Sequence, residues 1–264
     1  MRLVGTIVAS PTATQVLEFC EEDPVERVFL EDVARRGIGR FVGVASNGRM
    51  SAICHVGANV VPSGRDVATL AEVASRAVPR MMVGAERPVA ELWELLRGRY
   101  PAPVDDRPGQ PVYSLSALPP AAGSGVRAAT RDDLELLVPA CAAAYREEVG
   151  IDAYARDPDL FRWRTRSQVE LGRSWLWVEQ GRILFKAEAS AWTPSAVQLQ
   201  QVWVDPAVRG QGYARAGFAD LCRDLLETTP TVCLFARPEN VPALALYEGA
   251  GMSLVGSYRS LIFP

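Results

Sequence analysis

Residues 202–214 read Val202-Trp203-Val204-Asp205-Pro206-Ala207-Val208-Arg209-Gly210-Gln211-Gly212-Tyr213-Ala214. An apolar strand ends, Asp205-Pro206 opens a short loop, and a glycine-rich turn leads into a helix running from near Gly212 to Leu225. Glycine lets the backbone turn tightly and lets a ligand approach where a Cβ would obstruct it. The main-chain N–H groups of residues 210–214 then point into one concavity at a helix N-terminus. That is an anion site reinforced by the helix dipole, and a diphosphate fits it. A dinucleotide-binding turn requires G-x-G-x-x-G/A directly after the strand. Here the third position is Arg215 and the loop Asp205–Arg209 intervenes, so the dinucleotide reading fails.

Working outward, the C-terminal half reads as helix, helix, three strands, helix, strand, helix, strand. Thr130 and Asp133 form a variant capping box ahead of Leu134, Leu137, Cys141 and Ala144 at helical spacing. Asp157-Pro158 starts a second helix reaching Gly172. Strands 174–179 and 182–192 pair across Gln180-Gly181, and 196–204 is the third strand. Strand 231–236, helix 242–248 and strand 254–263 complete the half.

The N-terminal half gives a similar order. Helices open at Ser10-Pro11 and at Asp23-Pro24, the second ending at Gly37; a hairpin spans 41–45 and 50–56 over Ser46-Asn47-Gly48. A strand at 58–61, a helix at 66–76, a strand at 80–83, a helix at 87–96 and a strand at 112–115 follow. The repeated order points to an internal duplication, although two α+β domains also share an order by chance. Proline, glycine and serine cluster between Tyr100 and Gly125 and mark the boundary. The expected division is residues 1–118, a linker at 119–125, and a second domain at 126–264.

Composition sets further bounds. Of 264 residues 48 % are apolar, enough for a full core, and 22 % are charged. A net charge of −3 argues against nucleic acid as the main partner. The five cysteines form no C-x-x-C pair and read as buried free thiols of a reducing cytoplasm. His55 is the single histidine, so no multi-histidine metal site exists, and it reads as a core residue. No metal is expected. No apolar run has membrane-spanning length. The N-terminal stretch MRLVGTIVAS is weakly signal-like but short, and breaks at Ser10-Pro11, so a cytoplasmic location is expected.

The spacing R-x-x-G-x-A from Arg209 through Gly212 to Ala214, after V-x-V-D-P, resembles the GCN5-related N-acetyltransferase (GNAT) superfamily. A second block, Asn240-Val241-Pro242-Ala243-Leu244-Ala245-Leu246-Tyr247-Glu248-Gly249-Ala250-Gly251-Met252, is similar to that superfamily's N-x-x-A-x-x-L-Y-E-x-x-G-[FM] pattern. The resemblance covers the C-terminal half and implies an α+β (mixed α/β) fold: tandem GNAT-like domains, each a mixed, mostly antiparallel sheet flanked by helices. It implies acetyl-CoA as co-substrate and a V-shaped opening between strands 196–204 and 231–236, the first of them splayed by a bulge. The pantetheine arm would lie there against backbone near Val202, Trp203 and Val204, with Arg209, Gly210, Gln211, Gly212, Tyr213 and Ala214 holding the diphosphate and Asn240 touching the arm.

The implied reaction is direct attack of an amine on the thioester in a ternary complex. A free alkylamine, with a pKa of ~10.4, is mostly charged at neutral pH and needs a base. By the resemblance Tyr247 is the acid for the departing thiolate; read from composition alone it is a core tyrosine. A backbone amide near Val204 is the implied oxyanion donor. Several family members carry a glutamate on the strand before the cofactor turn, but Val197-Gln198-Leu199-Gln200-Gln201-Val202 has none. The nearest candidate base is Glu188, whose carboxyl would be pushed up among apolar neighbours. The alternatives are a Glu188–Lys186 same-face surface pair and a water chain through Gln200 or Gln201. Tyr145, Glu147, Glu148, Tyr154 and Asp157 flank the acceptor side, either attracting a cationic amine or forming a solvated helix face.

If the halves are duplicates, the N-terminal cofactor turn falls at Val61–Asp66, with one glycine and no R-x-x-G-x-A, and Leu92-Trp93-Glu94 replaces Leu246-Tyr247-Glu248. Tryptophan cannot serve as that acid, so a degenerate, non-catalytic copy is expected. The layout also resembles a group of bacterial proteins in which a domain of unassigned function precedes an acetyltransferase domain. The matching pieces are Arg107-x-x-Gln110-Pro-Val-Tyr113 and Phe185-Lys186-Ala187-Glu188. Three functions follow: an N-acyltransferase acting on a small-molecule or peptide amine; a non-catalytic acyl-CoA sensor or scaffold; and myristoyl-like or aminoacyl transfer on a paired scaffold. Monomer and homodimer both remain open.

Overall fold

The computed structural model describes residues 5–264. The first four residues of the weakly signal-like stretch lie outside that range. In chain order the elements are β1 (Thr6–Val8), α1 (Ala13–Glu21), α2 (Val28–Arg35), β2 (Arg40–Ser46), β3 (Arg49–Val56), β4 (Asn59–Gly64), α3 (Ala71–Ala74), β5 (Met81–Ala85), α4 (Glu86–Leu96) and β6 (Asp105–Leu115). The second half continues with β7 (Val126–Ala128), α5 (Leu134–Val149), α6 (Ala153–Arg156), α7 (Pro158–Glu170), β8 (Ser174–Glu179), β9 (Arg182–Trp192), β10 (Val197–Val204), α8 (Tyr213–Leu226), β11 (Val232–Phe235), α9 (Val241–Gly249) and β12 (Ser253–Ile262).

Local signals place most of these elements. Thr130 and Asp133 cap each other reciprocally, as the sequence pattern predicts. Asp157 accepts from Leu160 N at 3.0 Å and, with Pro158 at the first turn, starts α7. Gln180 and Gly181 both have positive φ, 49° and 75°, the geometry of a two-residue hairpin loop. Two helix starts differ from expectation. The capping box at α1 is Thr12 with Gln15, so the helix begins after Ser10-Pro11. Asp23 caps an isolated turn through Glu26 N, and α2 starts only at Val28.

The two halves do not keep separate sheets. One twelve-stranded sheet runs β1-β2-β3-β4-β5-β12-β6-β11-β10-β9-β8-β7. Only the β4/β5 and β10/β11 pairs are parallel, so the sheet is mixed and mostly antiparallel. The two halves exchange their last strands. Strand β12 pairs with β5 and β6, while β6 pairs with β11 and β12. The strand expected at 112–115 thus begins at Asp105 and sits between two strands of the C-terminal half.

A buried ion pair also joins the halves. Asp32 on α2 takes both Arg173 guanidinium N–H groups, one at 3.1 Å, while Arg36 approaches the same carboxylate at 3.3 Å. The five cysteines are free and buried. His55 packs edge-on against Phe29 and Phe41, and its Nδ1 lies 3.1 Å from Asn59 O, so it is a core histidine as expected. No helix among the described residues is long and apolar enough to cross a membrane.

In the N-terminal copy the parallel pair is equally short, Asn59↔Met81 and Val60↔Met82, but the bulge and the divergence beyond it are missing. Strands β3 and β4 pair without a register shift from Ala52↔Gly64 to Val56↔Val60. A Cβ on Gly84 of β5 would lie 3.0 Å from Pro62 O of β4, so the two strands stay in contact. Instead of a long helix, a 3₁₀ turn (Val67–Leu70) and one-turn α3 follow β4. Trp93 is a core residue packed on Phe263.

Candidate active site

In the C-terminal half, β10 pairs with β11 only at Val197↔Val232 and Gln198↔Cys233; from Leu199 onward the two strands part. A bulge drives the divergence. The β9/β10 register shifts between Gln200 and Trp203, and Gln201 takes a left-handed φ of 49°. The opening expected from the resemblance is therefore present, with Gln201 and Val202 in the bulge and Trp203 and Val204 on the wall beyond it.

The glycine-rich turn closes one end of this opening. Asp205 caps a 3₁₀ turn through Ala207 N at 3.0 Å. Gly210 and Gly212 have φ of 76° and 92°, and Gly212 is the N-cap of α8. A Cβ built on either would meet nothing within 4 Å, so backbone conformation demands glycine there and the space above the turn is open. None of the main-chain N–H groups from Gly210 to Ala214 has a protein acceptor among the described residues. Farther along α8, a Cβ on Gly217 would strike the Phe185 ring at 2.8 Å, so this glycine sets how closely the helix lies on β9. Tyr213 packs edge-on against Trp177 with ring centroids 5.0 Å apart.

Arg209 is engaged within the protein: its Nε donates to Val204 O at 3.1 Å and its Nη2 to Glu147 at 2.6 Å. Asn240 caps α9, its Oδ1 accepting from Ala243 N at 3.3 Å. That leaves its amide nitrogen at an exposed edge.

Tyr247 is buried between Phe218 of α8 and Tyr113 of β6, at ring distances of 5.3 and 6.1 Å. Burial, then the Glu148 charge, raises its phenol well above the usual tyrosine range. The hydroxyl therefore stays protonated at neutral pH.

Glu188 departs from both sequence readings. Strand β9 is covered on both faces. Phe185, Ala187 and Ala189 face α8, while Lys186 and Glu188 face α5. Lys186 is fully buried and Glu188 is 5 % exposed, so this is no surface pair. Lys186 Nζ lies 2.9 Å from Glu188 Oε1 and donates to Gln201 Oε1 at 3.2 Å. Cys141 Sγ donates to Glu188 Oε1 at 3.2 Å, and Gln200 approaches Oε2 at 3.4 Å. Burial alone would raise the Glu188 carboxyl, but the Lys186 charge and the hydrogen bonds outweigh it, and the net shift is downward. The expected raised value is not met, because the low-dielectric site carries its own counter-ion. A stabilised, paired carboxylate is a poor proton acceptor.

The C-terminal turn of α5 spans the opening. Glu147 ties it to the β10 wall, accepting from Trp203 Nε1 at 3.2 Å and from Arg209. On the other side Glu148 O accepts from Arg237 at 3.2 Å and from Arg107 at 3.4 Å. Among the other acceptor-side candidates, Tyr145 lines a narrow cavity with Arg164, Glu188 and Gln201. Tyr154 packs edge-on to Phe161, and Asp157 is spent as the α7 cap. Sequence patterns gave no sign that Glu147 clasps the cofactor turn, because the contact joins residues 62 positions apart. No group of three or more His, Cys, Asp or Glu among the described residues is placed to hold a metal.

Comparison with known proteins agrees with this geometry. Residues 139–252 match the acetyltransferase (GNAT) family model, and residues 39–137 match a domain of unknown function, DUF4081. No curated protein matches the sequence. Among solved structures, a GNAT-family acetyltransferase from Colwellia psychrerythraea aligns with TM-score 0.60 at 12 % identity, covering 98 % of this chain and 100 % of that one. A GCN5-related N-acetyltransferase from Sphaerobacter thermophilus aligns with TM-score 0.61 at 18 % identity, covering 98 % and 96 %. A tandem GNAT protein from the clavulanic acid biosynthesis pathway aligns with TM-score 0.57 at 13 % identity, covering 97 % and 98 %. At these identities the likeness is one of fold. The C-terminal half is therefore a GNAT-family domain, and the chain as a whole has the tandem GNAT fold.

Proposed function

We propose that this protein is an acyl-CoA-dependent N-acyltransferase, with acetyl-CoA as co-substrate and an amine, on a small molecule or a peptide, as acceptor. The reading rests on one observation: free N–H groups at the head of α8 stand beside a strand pair held open by a bulge. A helix N-terminus with free donors favours a diphosphate, and the opening leaves β10 edge groups for an extended arm. In this reading Val202, Trp203 and Val204 flank the arm, Arg209 to Ala214 take the diphosphate, and the Asn240 amide nitrogen meets the arm. Tyr247, protonated at neutral pH, gives its proton to the departing thiolate as the C–S bond breaks. An amide near Val204 is the candidate oxyanion donor.

The test is calorimetric titration with acetyl-CoA, followed by a thiol-release assay with an aminoglycoside, spermidine, free amino acids, a peptide with a free N-terminus and a lysine peptide. One acetyl-CoA per chain and release with at least one amine are expected. Tyr247→Phe should lower turnover while leaving acetyl-CoA affinity in place. Binding without release for any amine would favour a sensor, and two molecules bound per chain would contradict a degenerate, non-catalytic N-terminal copy.

A further inference from the structure

We infer that Glu148 is the catalytic base that takes the proton from the acceptor amine, a role that rests on the transferase reading above. Position is the first argument. Its main-chain carbonyl is fixed by Arg107 of β6 and by Arg237 just after β11, at the mouth of the opening, while the neighbouring Glu147 is bound to the opposite wall. The two attachments hold the last turn of α5 across the cleft that the reacting groups must share. The second argument is elimination. Of the carboxylates in this neighbourhood, Glu147 is held by Trp203 and Arg209, Glu188 is buried on Lys186, Asp105 is paired with Arg107 and Arg237, Glu248 accepts from Tyr113, and Glu239 lies in the exposed turn after β11. The Glu148 side chain makes no ion pair or hydrogen bond among the described residues, and solvent reaches it.

The charged surroundings are mixed. Arg107 from β6, Lys186 and Glu188 from β9, Arg164 from α7 and Tyr247 from α9 all feel or impose charge on this carboxyl. The residue is exposed to solvent, while neighbouring protein partly desolvates its carboxyl. Crowding raises its proton affinity; Arg107, Lys186 and Arg164 pull the other way, Glu188 adds to the rise, and the balance lies above the ordinary glutamate value. That direction suits a base.

The step balances without a further reactant. A proton leaves the R–NH₃⁺ acceptor for the Glu148 carboxylate, and the freed lone pair attacks the thioester carbonyl. Collapse of the tetrahedral intermediate breaks the C–S bond, the thiolate takes the Tyr247 proton, and the second nitrogen proton returns through solvent to the Tyr247 phenolate, leaving a neutral amide with one N–H. Glu148 and Tyr247 then re-equilibrate with solvent.

The experiment compares wild type, Glu148→Gln and Glu148→Asp in the full chain, using the most active amine of the panel. Glu148→Gln should lower turnover at pH 7 by about 100-fold or more, with acetyl-CoA Kd unchanged within about twofold and melting temperature preserved. Its remaining rate should climb steeply with pH as the amine deprotonates itself, whereas wild type should level off above the Glu148 titration. Glu148→Asp should recover part of the rate. Wild-type turnover in Glu148→Gln, or an unmoved acidic limb, overturns the role. As an acceptor-free check, carbon-13 NMR of the glutamate carboxyls should show a resonance, absent in Glu148→Gln, titrating above the ordinary range. An ordinary or depressed midpoint also overturns it. Absence of acetyl-CoA binding by wild type would instead defeat the transferase reading itself.

Discussion

Replacing Lys186 by methionine tests the buried pair on β9. At 2.9 Å, and with an effective dielectric of about 20, the attraction between Lys186 and Glu188 is about 6 kcal/mol. Taking each ion out of water costs several kcal/mol, so the pair as a whole adds little net stability. Removing one partner is a different matter. Lys186→Met strands a carboxylate with only the Cys141 thiol and a long contact to Gln200 as donors. The expected loss is about 3–5 kcal/mol, limited by protonation of Glu188. Combining Lys186→Met with Glu188→Leu removes both charges and should regain most of the loss. Urea unfolding of the full chain, with midpoints and slopes for wild type, the single variant and the double variant, measures this directly. If Lys186→Met costs less than about 1 kcal/mol, the pair behaves as an exposed one, and the argument that disqualifies Glu188 as a base fails with it.

Two further outcomes follow from particular residues. Gly212→Ala forces a φ of 92° on a residue with a Cβ; that Cβ meets no protein atom, so the stability cost should be only the left-handed penalty of about 1–2 kcal/mol. The same Cβ enters the space proposed for the diphosphate, so acetyl-CoA affinity by calorimetry should fall by about tenfold or more; unchanged affinity would remove the diphosphate from this turn. His55 is the only histidine, and burial, partly offset by the Asn59 and Ile38 backbone groups, lowers its pKa. Its folded value lies below the unfolded value of about 6.5, so unfolding takes up a proton. Its contribution is complete above pH 6.5 and is lost as the pH falls toward the folded value. His55→Phe should flatten the decline in melting temperature between about pH 6.5 and 5.5, and an equally steep decline in the variant would show that other groups cause it.

Local chemistry made much of the C-terminal half legible. The Thr130–Asp133 box, the Asp157-Pro158 start and the Gln180-Gly181 loop each declare themselves within four residues, and the fold obeys them. Non-local coverage was not legible. Alternation on β9 put Lys186 and Glu188 on one face, but whether that face is wet depends on α5, whose Cys141 lies 47 positions away. The first part of β6, Asp105–Gln110, reads as a breaker because of Pro108 and Gly109. It is a strand nonetheless, since β11 pairs only with Val112–Leu115 and leaves the earlier residues with β12 on one side. Proline is tolerated at such an edge. The short strands β1 and β7 have three residues each, too few for a period to show.

The exchanged strands explain what an N-terminal copy without the glycine-rich turn still does. Tyr247 rides on α9, which is anchored at one end by β11 and at the other by β12, and β12 has neighbours only from before the boundary, β5 and β6. From β6 come the Tyr113 ring that packs on Tyr247 and the hydroxyl that donates to Glu248 at 2.8 Å. Residues 119–264 alone would therefore leave β12 unpaired along both edges and Tyr247 without one wall of its site. That fragment should not unfold cooperatively or bind acetyl-CoA, although it holds the whole glycine turn. A synthetic peptide of residues 105–115 should not restore it, because the β5 edge is still missing; co-expression with residues 1–118 should restore binding, measured by calorimetry on the copurified pair. A fragment of 119–264 that melts cooperatively and binds acetyl-CoA with the affinity of the full chain would show that the strand exchange is incidental, and that the first half has some purpose other than holding the second half's helix α9 in place.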